Sequence, residues 1–169
     1  MQRLNVSVSS EQTQGGRFEM PIEGFKRVID RVNHSRTNGS PTLRVLIGTD
    51  ADIVVARQQG RALANALRFS ATDSAFIATT VSELARVLLS HTVRGEIWLH
   101  EVYEDERSGV VIVARDPVSR NGSDSGVDRH GQSRPIQLPE VHRLVDEYEV
   151  ASDAGYGTTI RATKWCRRR

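Results

Sequence analysis

The stretch between residues 72 and 90 has the apolar periodicity of a long helix that is buried along one side. Its large apolar side chains recur three and four positions apart, and residues at that spacing share one face of an α-helix. The pattern therefore predicts a helix that forms part of the protein core. The apolar stripe consists of Phe76, Ile77, Val81, Leu84, Val87 and Leu88.

The other periodic segments place this helix in a mixed fold. A first helix is predicted to begin after Thr49, and another to begin at Pro139 beyond a break at residues 117–137. The order β-α-α-β-β-loop-α-β-β is satisfied most simply by a mainly antiparallel sheet with its helices on one face. This is an α/β (α+β) two-layer sandwich. The predicted strands are residues 42–47, 96–103, 110–115, 148–152 and 158–165.

Two segments precede this pattern. Residues 1–20 are rich in Ser, Gln and Gly, and we expect a flexible tail. Residues 21–41 are predicted to form an amphipathic helix, at 21–33, and a linker; the pattern is compatible with packing on the domain, pairing with a copy of itself or docking on a partner. Residues 42–169 are predicted to form one domain, in which residues 117–137 are irregular and mobile. The apolar side of the first segment's helix consists of Ile22, Phe25, Val28, Ile29 and Val32.

Composition argues against several classes of function. The net charge is only +2, whereas a nucleic-acid-binding surface normally shows a dense Lys/Arg face. The basic cluster near the C-terminus, which is Arg161, Lys164 and residues 167–169, is interpreted as a solvated chain end. No apolar run approaches the ~18 residues of a membrane helix, and the N-terminus lacks a signal-peptide core. We therefore expect a cytoplasmic protein that binds neither nucleic acid nor membrane.

Metal and thiol chemistry have no support in the pattern either. Cys166 is the only cysteine, so an intrachain disulfide and a thiolate cluster are excluded. The five histidines have none of the spacings of metal ligands, and we interpret them as solvated or locally bonded.

Several segments follow the order and spacing of a known family. They are Asp52–Arg61, Thr80–Val87, Asp116, Leu138–Tyr148 and Gly155–Trp165. Together they resemble the bacterial switch-protein serine kinases of the RsbT type, relatives of the anti-sigma-factor kinases in the GHKL ATPase superfamily. The resemblance covers roughly residues 43–166. It implies the Bergerat fold, with ATP between the sheet and a glycine-rich lid and Mg²⁺ bridging the phosphates to one Asn.

The resemblance implies a role for five residues. Glu83 matches the candidate general base for a seryl hydroxyl, and Arg86 also matches the family pattern. Asp116 matches the carboxylate that accepts a hydrogen bond from the adenine amino group. Gly157 and Thr158 match the last glycine box of the ATP site.

The chain departs from the family in the middle of the ATP site. Val87 stands where the family has its metal-binding Asn, and valine has no oxygen to offer a hard cation. The turn after Asp116 reads Pro117–Arg120 instead of a glycine turn, and Ser133–Gln137 lacks the second glycine box. Glu140 replaces the family's Gly at the start of a helix. Because phosphoryl transfer depends on Mg²⁺, these losses favour a degenerate, inactive site without a metal or cofactor; Mg-ATP is expected only if the family activity survives.

These observations predict a partner-switching regulator of an alternative sigma-factor pathway that acts by stoichiometric protein binding. The resemblance implies STAS-domain antagonist proteins as partners, together with a PP2C-type phosphatase or a sigma factor. Arg57, Arg61 and Arg68 on the first helix are the candidate docking face, although a merely solvated face explains them as well. Two alternatives remain open: an active serine/threonine kinase that phosphorylates a STAS-domain antagonist, and an anti-sigma factor that binds sigma directly.

Overall fold

The computed structural model describes residues 42–91, 94–104, 106–116, 138–153 and 157–166. The predicted tail at 1–20, the helix and linker at 21–41 and the predicted loop at 117–137 lie outside these ranges. Strands and helices follow the predicted order. They are β1 (Leu43–Ile47), α1 (Asp50–Ala66), α2 (Ala71–His91), β2 (Gly95–Glu104), β3 (Arg107–Asp116), α3 (Pro139–His142), β4 (Glu147–Asp153) and β5 (Gly157–Trp165).

The five strands form one sheet in the order β1-β2-β3-β5-β4, and every neighbouring pair is antiparallel. Strands β1 and β2 are neighbours in the sheet, although α1 and α2 lie between them in the chain. The predicted α+β two-layer sandwich is confirmed.

The two long helices begin at side-chain caps, of which the one at Thr49 was predicted from the sequence and the one at Ser70 was not. At the start of α1, the Asp52 carboxylate accepts hydrogen bonds from the Gly48 and Thr49 backbone N–H groups and from the Thr49 hydroxyl. The Gly48 backbone bond and the Thr49 hydroxyl bond lower the pKa of Asp52. Ser70 caps α2, since its hydroxyl accepts a hydrogen bond from the Asp73 backbone N–H at 3.0 Å.

The core fills the space between the two long helices and one face of the sheet. Along β3, the alternate residues Val110, Ile112 and Ala114 belong to it, as do Ile160 and Ala162 on β5. On α2, the predicted stripe is largely confirmed, because Ile77, Val81, Leu84 and Leu88 are buried. Phe76 and Val87 are only half-buried.

Two predicted boundaries were wrong. The turn between β2 and β3 was predicted over residues 104–109, but the strands continue to the register pair Glu104–Arg107. The turn is tight, and Glu106 within it adopts a φ of 61°, as short hairpin turns require. Charged side chains at the end of a hairpin can stay in solvent, so they do not interrupt the pairing of the strands. The predicted helix after Pro139 ends at His142, since Asp146 already donates its backbone N–H to the Thr163 carbonyl in the sheet.

One interpretation of polar residues was also wrong. Arg161 and Lys164 are not part of a solvated chain end, since both lie within β5 and are buried. His100 on β2 is buried as well. Burial lowers its pKa to about 4, and the nearby positive charge of Arg161 contributes in the same direction.

Among the described helices, none has the length and apolar character needed to cross a bilayer.

Candidate functional site

The second half of α2 lies close to the first residue of β2. A Cβ atom placed on Gly95 would lie 2.6 Å from the Cβ of Leu88, so only glycine allows this approach. Because Glu96 pairs with Arg115, Gly95 lies at the level of Asp116, the last residue of β3. The last turns of α2, which carry Glu83, therefore lie toward the Asp116 end of the sheet.

The same end of the sheet holds the other predicted ATP-site residues. Asp116 is the register partner of Thr158 at the start of β5, and both side chains are half-buried. Gly157 opens β5 with a φ of 81°, a conformation that residues with a side chain adopt only at a cost. Antiparallel pairing thus places Asp116 beside Thr158 and its neighbour Gly157, which lie more than forty positions further along the sequence.

Glu83 and Arg86 form an ion pair on the surface of α2, in which Arg86 Nη1 donates to Glu83 Oε1. The side chains are 37% and 57% exposed, respectively. An ion pair with this much solvent contact contributes at most about 1 kcal/mol to stability. The carboxylate is therefore accessible to a second molecule, as a general base must be.

Val87 lies one turn beyond Glu83, and its half-buried side chain is purely apolar. Its backbone carbonyl accepts the hydroxyl of Ser90 at 2.9 Å. Magnesium requires oxygen ligands at near-ideal octahedral positions, and this turn of the helix offers it no side-chain oxygen. The described residues therefore do not fit a magnesium ion held from α2 in the way that the resemblance implies.

The three arginines of the candidate docking face lie in two different places. Arg57 and Arg61 are exposed on the outer side of α1, whereas Arg68 lies beyond the end of that helix, in the turn before α2, with a φ of 60°. Val54 shares the face of Arg57 and Arg61 at i, i+3 and i+7, and it is 42% exposed. Val54 was not predicted as part of this face, although the sequence shows it as an apolar residue adjacent to Ile53 and outside the buried stripe of the same helix.

The described residues thus form an α+β two-layer domain in which a helix-borne carboxylate and a polar sheet end lie toward the same side of the molecule. No protein-family model matches the chain. The chain is 40% identical over 128 residues to the serine/threonine-protein kinase RsbT of Bacillus subtilis (strain 168), and the match spans 73% of this chain and 96% of that protein. The chain belongs to the RsbT-type serine/threonine-protein kinase family.

Proposed function

We propose that this protein is a partner-switching regulator of an alternative sigma-factor pathway that works by stoichiometric binding of its protein partners. STAS-domain antagonists and a PP2C-type phosphatase are the partners that membership of the RsbT family suggests. In this proposal residues 42–169 form the domain that binds the partners, and residues 1–41 are an addition to it.

The observation that carries the proposal is Val87. Phosphoryl transfer relies on Mg²⁺ to position the phosphates and to neutralise their charge, and the helix position that should supply its ligand is a valine. Glu83 and Arg86 remain, but a general base without a metal-bound phosphate has no reaction to assist. We therefore expect Mg-ATP to bind no more tightly than about 1 mM.

The outer face of α1 supports the binding part of the proposal. Val54, Arg57 and Arg61 combine exposed apolar surface with two positive charges on a rigid helix. Arginine is enriched in protein interfaces, and an apolar centre with a charged rim is their usual composition. An acidic or mixed partner surface would be complementary to this face.

A second candidate function is an active serine kinase that phosphorylates a STAS-domain antagonist. The identity to a protein kinase favours it, and so does the accessible carboxylate of Glu83 at the Asp116 end of the sheet. In this case Mg²⁺ would be held by groups other than residue 87, and Glu83 would take the proton of the seryl hydroxyl.

Replacing Val87 tests the two candidates directly. Calorimetry of Mg-ATP should show no measurable heat for the wild type and a Mg-dependent signal for Val87→Asn, with Val54→Asn on the exposed face of α1 as the matched control. Transfer of labelled phosphate to a STAS-domain protein should stay at background for the wild type and for Glu83→Ala alike. A micromolar, Mg-dependent complex of the wild type, with phosphate transfer that disappears in Glu83→Ala, would establish the kinase instead.

Retention of purified partners on the immobilised protein tests whether it works by stoichiometric binding. We expect a STAS-domain antagonist or the phosphatase to be retained without ATP. Retention of a sigma subunit alone would favour the anti-sigma alternative.

A further inference from the structure

Helix α1 carries no charge over a wide arc of its solvent side. Successive residues of an α-helix are rotated by about 100°, and seven exposed residues of α1 fall within one arc of about 120°. A surface helix normally presents charged side chains on the side opposite its core face, but none of these seven is charged. We call them the uncharged face of α1. They are Ala51, Val54, Val55, Gln58, Ala62, Asn65 and Ala66.

Two valines of the uncharged face are open to solvent. Val54 is 42% exposed and Val55 is 43% exposed, whereas Ile53 beside them belongs to the core. Within the described ranges they are two of only four large apolar side chains that are exposed. Contacts within the folded chain do not remove these valines from water, so their place on the surface is not explained by folding. Adjoining apolar side chains in an uncharged surface favour association with another protein.

Positive charge borders the uncharged face along one side. Arg57 and Arg61 are exposed and lie at i and i+4, so that their side chains are neighbours. Asp50 lies on the same side at the start of the helix, about 10 Å along the axis from Arg57. An antiparallel contact between two copies of α1 would bring the arginines of one chain near those of the other, and like charges repel. A partner with acidic residues is complementary to this border, whereas a second copy is not.

A partner helix fits the uncharged face better than an extended segment does. The backbone groups inside a helix are bonded to one another, so the middle of α1 offers no strand edge to which an extended chain could pair. An extended partner would lose water from its own N–H and C=O groups without gaining hydrogen bonds. A helical partner satisfies its backbone internally. The short side chains of Ala51 and Ala62, one and two turns from Val55, allow the ridges of such a helix to pack closely on α1.

We propose that the uncharged face of α1 receives an amphipathic helix of the protein partner. Two acidic residues of that helix, three or four positions apart, lie opposite Arg57 and Arg61. The assignment rests on the proposed function, since it names the element with which the partner binds. It adds Val55 and Ala62 to the contact residues, and neither is indicated by the arginines alone.

Titration of the ¹⁵N-labelled full-length protein with a designed helix tests the proposal. The probe is a lactam-bridged helical peptide of about 18 residues, with a stripe of alanine and leucine and two glutamates at i and i+4 beside it. The amide signals of Val55, Gln58 and Ala62 should shift, whereas those of Thr79 and Arg86, which are exposed on α2, should not. A peptide with lysines in place of the glutamates should bind at least about tenfold more weakly.

A pair of matched variants locates the contact. Val55→Asp places a charge in the middle of the uncharged face and should weaken binding of the glutamate peptide at least about tenfold. Thr79→Asp introduces the same residue at an exposed position of α2 and should bind the peptide like the wild type. Because both positions are exposed, the urea midpoints of the two variants should hardly move.

Three results would overturn the proposal: no binding of the glutamate peptide to the wild type, equal binding to Val55→Asp, or self-association of the wild type that Val55→Asp abolishes. The last result, seen in sedimentation equilibrium, would assign the face to a second copy. Failure of the proposed function looks different. If the peptide binds as expected but neither a STAS-domain antagonist nor the phosphatase is retained, α1 still receives a helix and the partners are others. If a STAS-domain antagonist is retained equally by the wild type and Val55→Asp and the peptide does not bind, the proposed function stands without this docking face.

Discussion

Lys164 Nζ lies 3.2 Å from Asp146 Oδ1, and the other carboxylate oxygen of Asp146 accepts the backbone N–H of Trp165 at 2.8 Å. Asp73 in the first turn of α2 approaches the same ammonium group at 3.8 Å. A single buried lysine on β5, 5% exposed, thus links the first turn of α2 to the residue that precedes β4. Its ammonium nitrogen also lies over the Phe76 ring, 5.7 Å from the ring centroid.

Replacing this lysine should destabilise the fold strongly. Lys164→Met leaves the partly buried Asp73 and the more exposed Asp146 without their counter-ion, and we expect a loss of roughly 1–3 kcal/mol in the free energy of unfolding. Urea denaturation measures this loss. Arg143→Met, which changes an exposed side chain, should stay within about 0.5 kcal/mol of the wild type. Equal midpoints for the two variants would show that the network contributes nothing.

His100 should make stability depend on pH in the acid range. Its pKa falls from 6.5 to about 4 on folding, because the ring is buried, with Arg161 adding to the effect, so the unfolded chain binds the additional proton between these values. Stability from this group is therefore complete above pH 6.5, declines as the pH falls toward 4 and is lost below it. The expected total is up to roughly 3 kcal/mol.

The pH experiment has to separate His100 from the charged groups around it. Arg161 is its buried neighbour, and Arg161 in turn approaches Glu147 at 3.4 Å and Glu149 at 3.9 Å. Denaturation series from pH 7 to pH 4 should show a shallower slope for His100→Gln than for the wild type. The exposed His142→Gln should retain the wild-type slope. An unchanged slope in His100→Gln would show that His100 does not cause the pH dependence.

Gly95 should not tolerate a side chain. The methyl group of Gly95→Ala would meet Leu88 Cβ at 2.6 Å, and the helix would have to move, at a cost of roughly 1–3 kcal/mol. Gly60→Ala is the comparison, since its new methyl would meet a methyl of Val81 at 3.0 Å and the helix would gain from the better propensity of alanine. Thermal denaturation should rank Gly95→Ala well below Gly60→Ala. The reverse order would mean that α2 can shift freely against β2.

Charge reversal on α1 should weaken partner binding without unfolding the protein. For Arg57→Glu combined with Arg61→Glu, we expect at least about tenfold weaker binding to a STAS-domain partner, mostly through slower association at low salt. Both side chains are exposed, so the urea midpoint should hardly move. Arg68→Glu, in the turn after α1, tests whether the face extends beyond the helix. Wild-type affinity in the double variant would remove α1 from the interface.

The local sequence pattern was sufficient to predict the helices and strands and to identify the family. The stripe of α2 and the cap at Thr49 are set by neighbours within a few residues, and they appear in the structure largely as predicted. The cap at Ser70 was not predicted. The resemblance also identified Glu83 and Asp116 as candidates, because motif residues keep their spacing along the chain. That both lie toward the same end of the sheet follows from packing and register.

Burial of polar residues was decided by the tertiary structure alone. Arg161, Lys164 and His100 look like solvated residues in the sequence, since each is polar and Arg161 and Lys164 lie close to the terminal arginines. Arg161 and Lys164 lie on β5, between β3 and β4, and His100 lies on β2, between β1 and β3, so all three are on interior strands of the sheet and are buried. The sequence by itself determined which residues form helices and strands, whereas only the strand order decided which charges need partners inside the protein. The reason is that secondary structure depends on local periodicity, while the cost of burying a charge depends on neighbours that only the folded chain brings together.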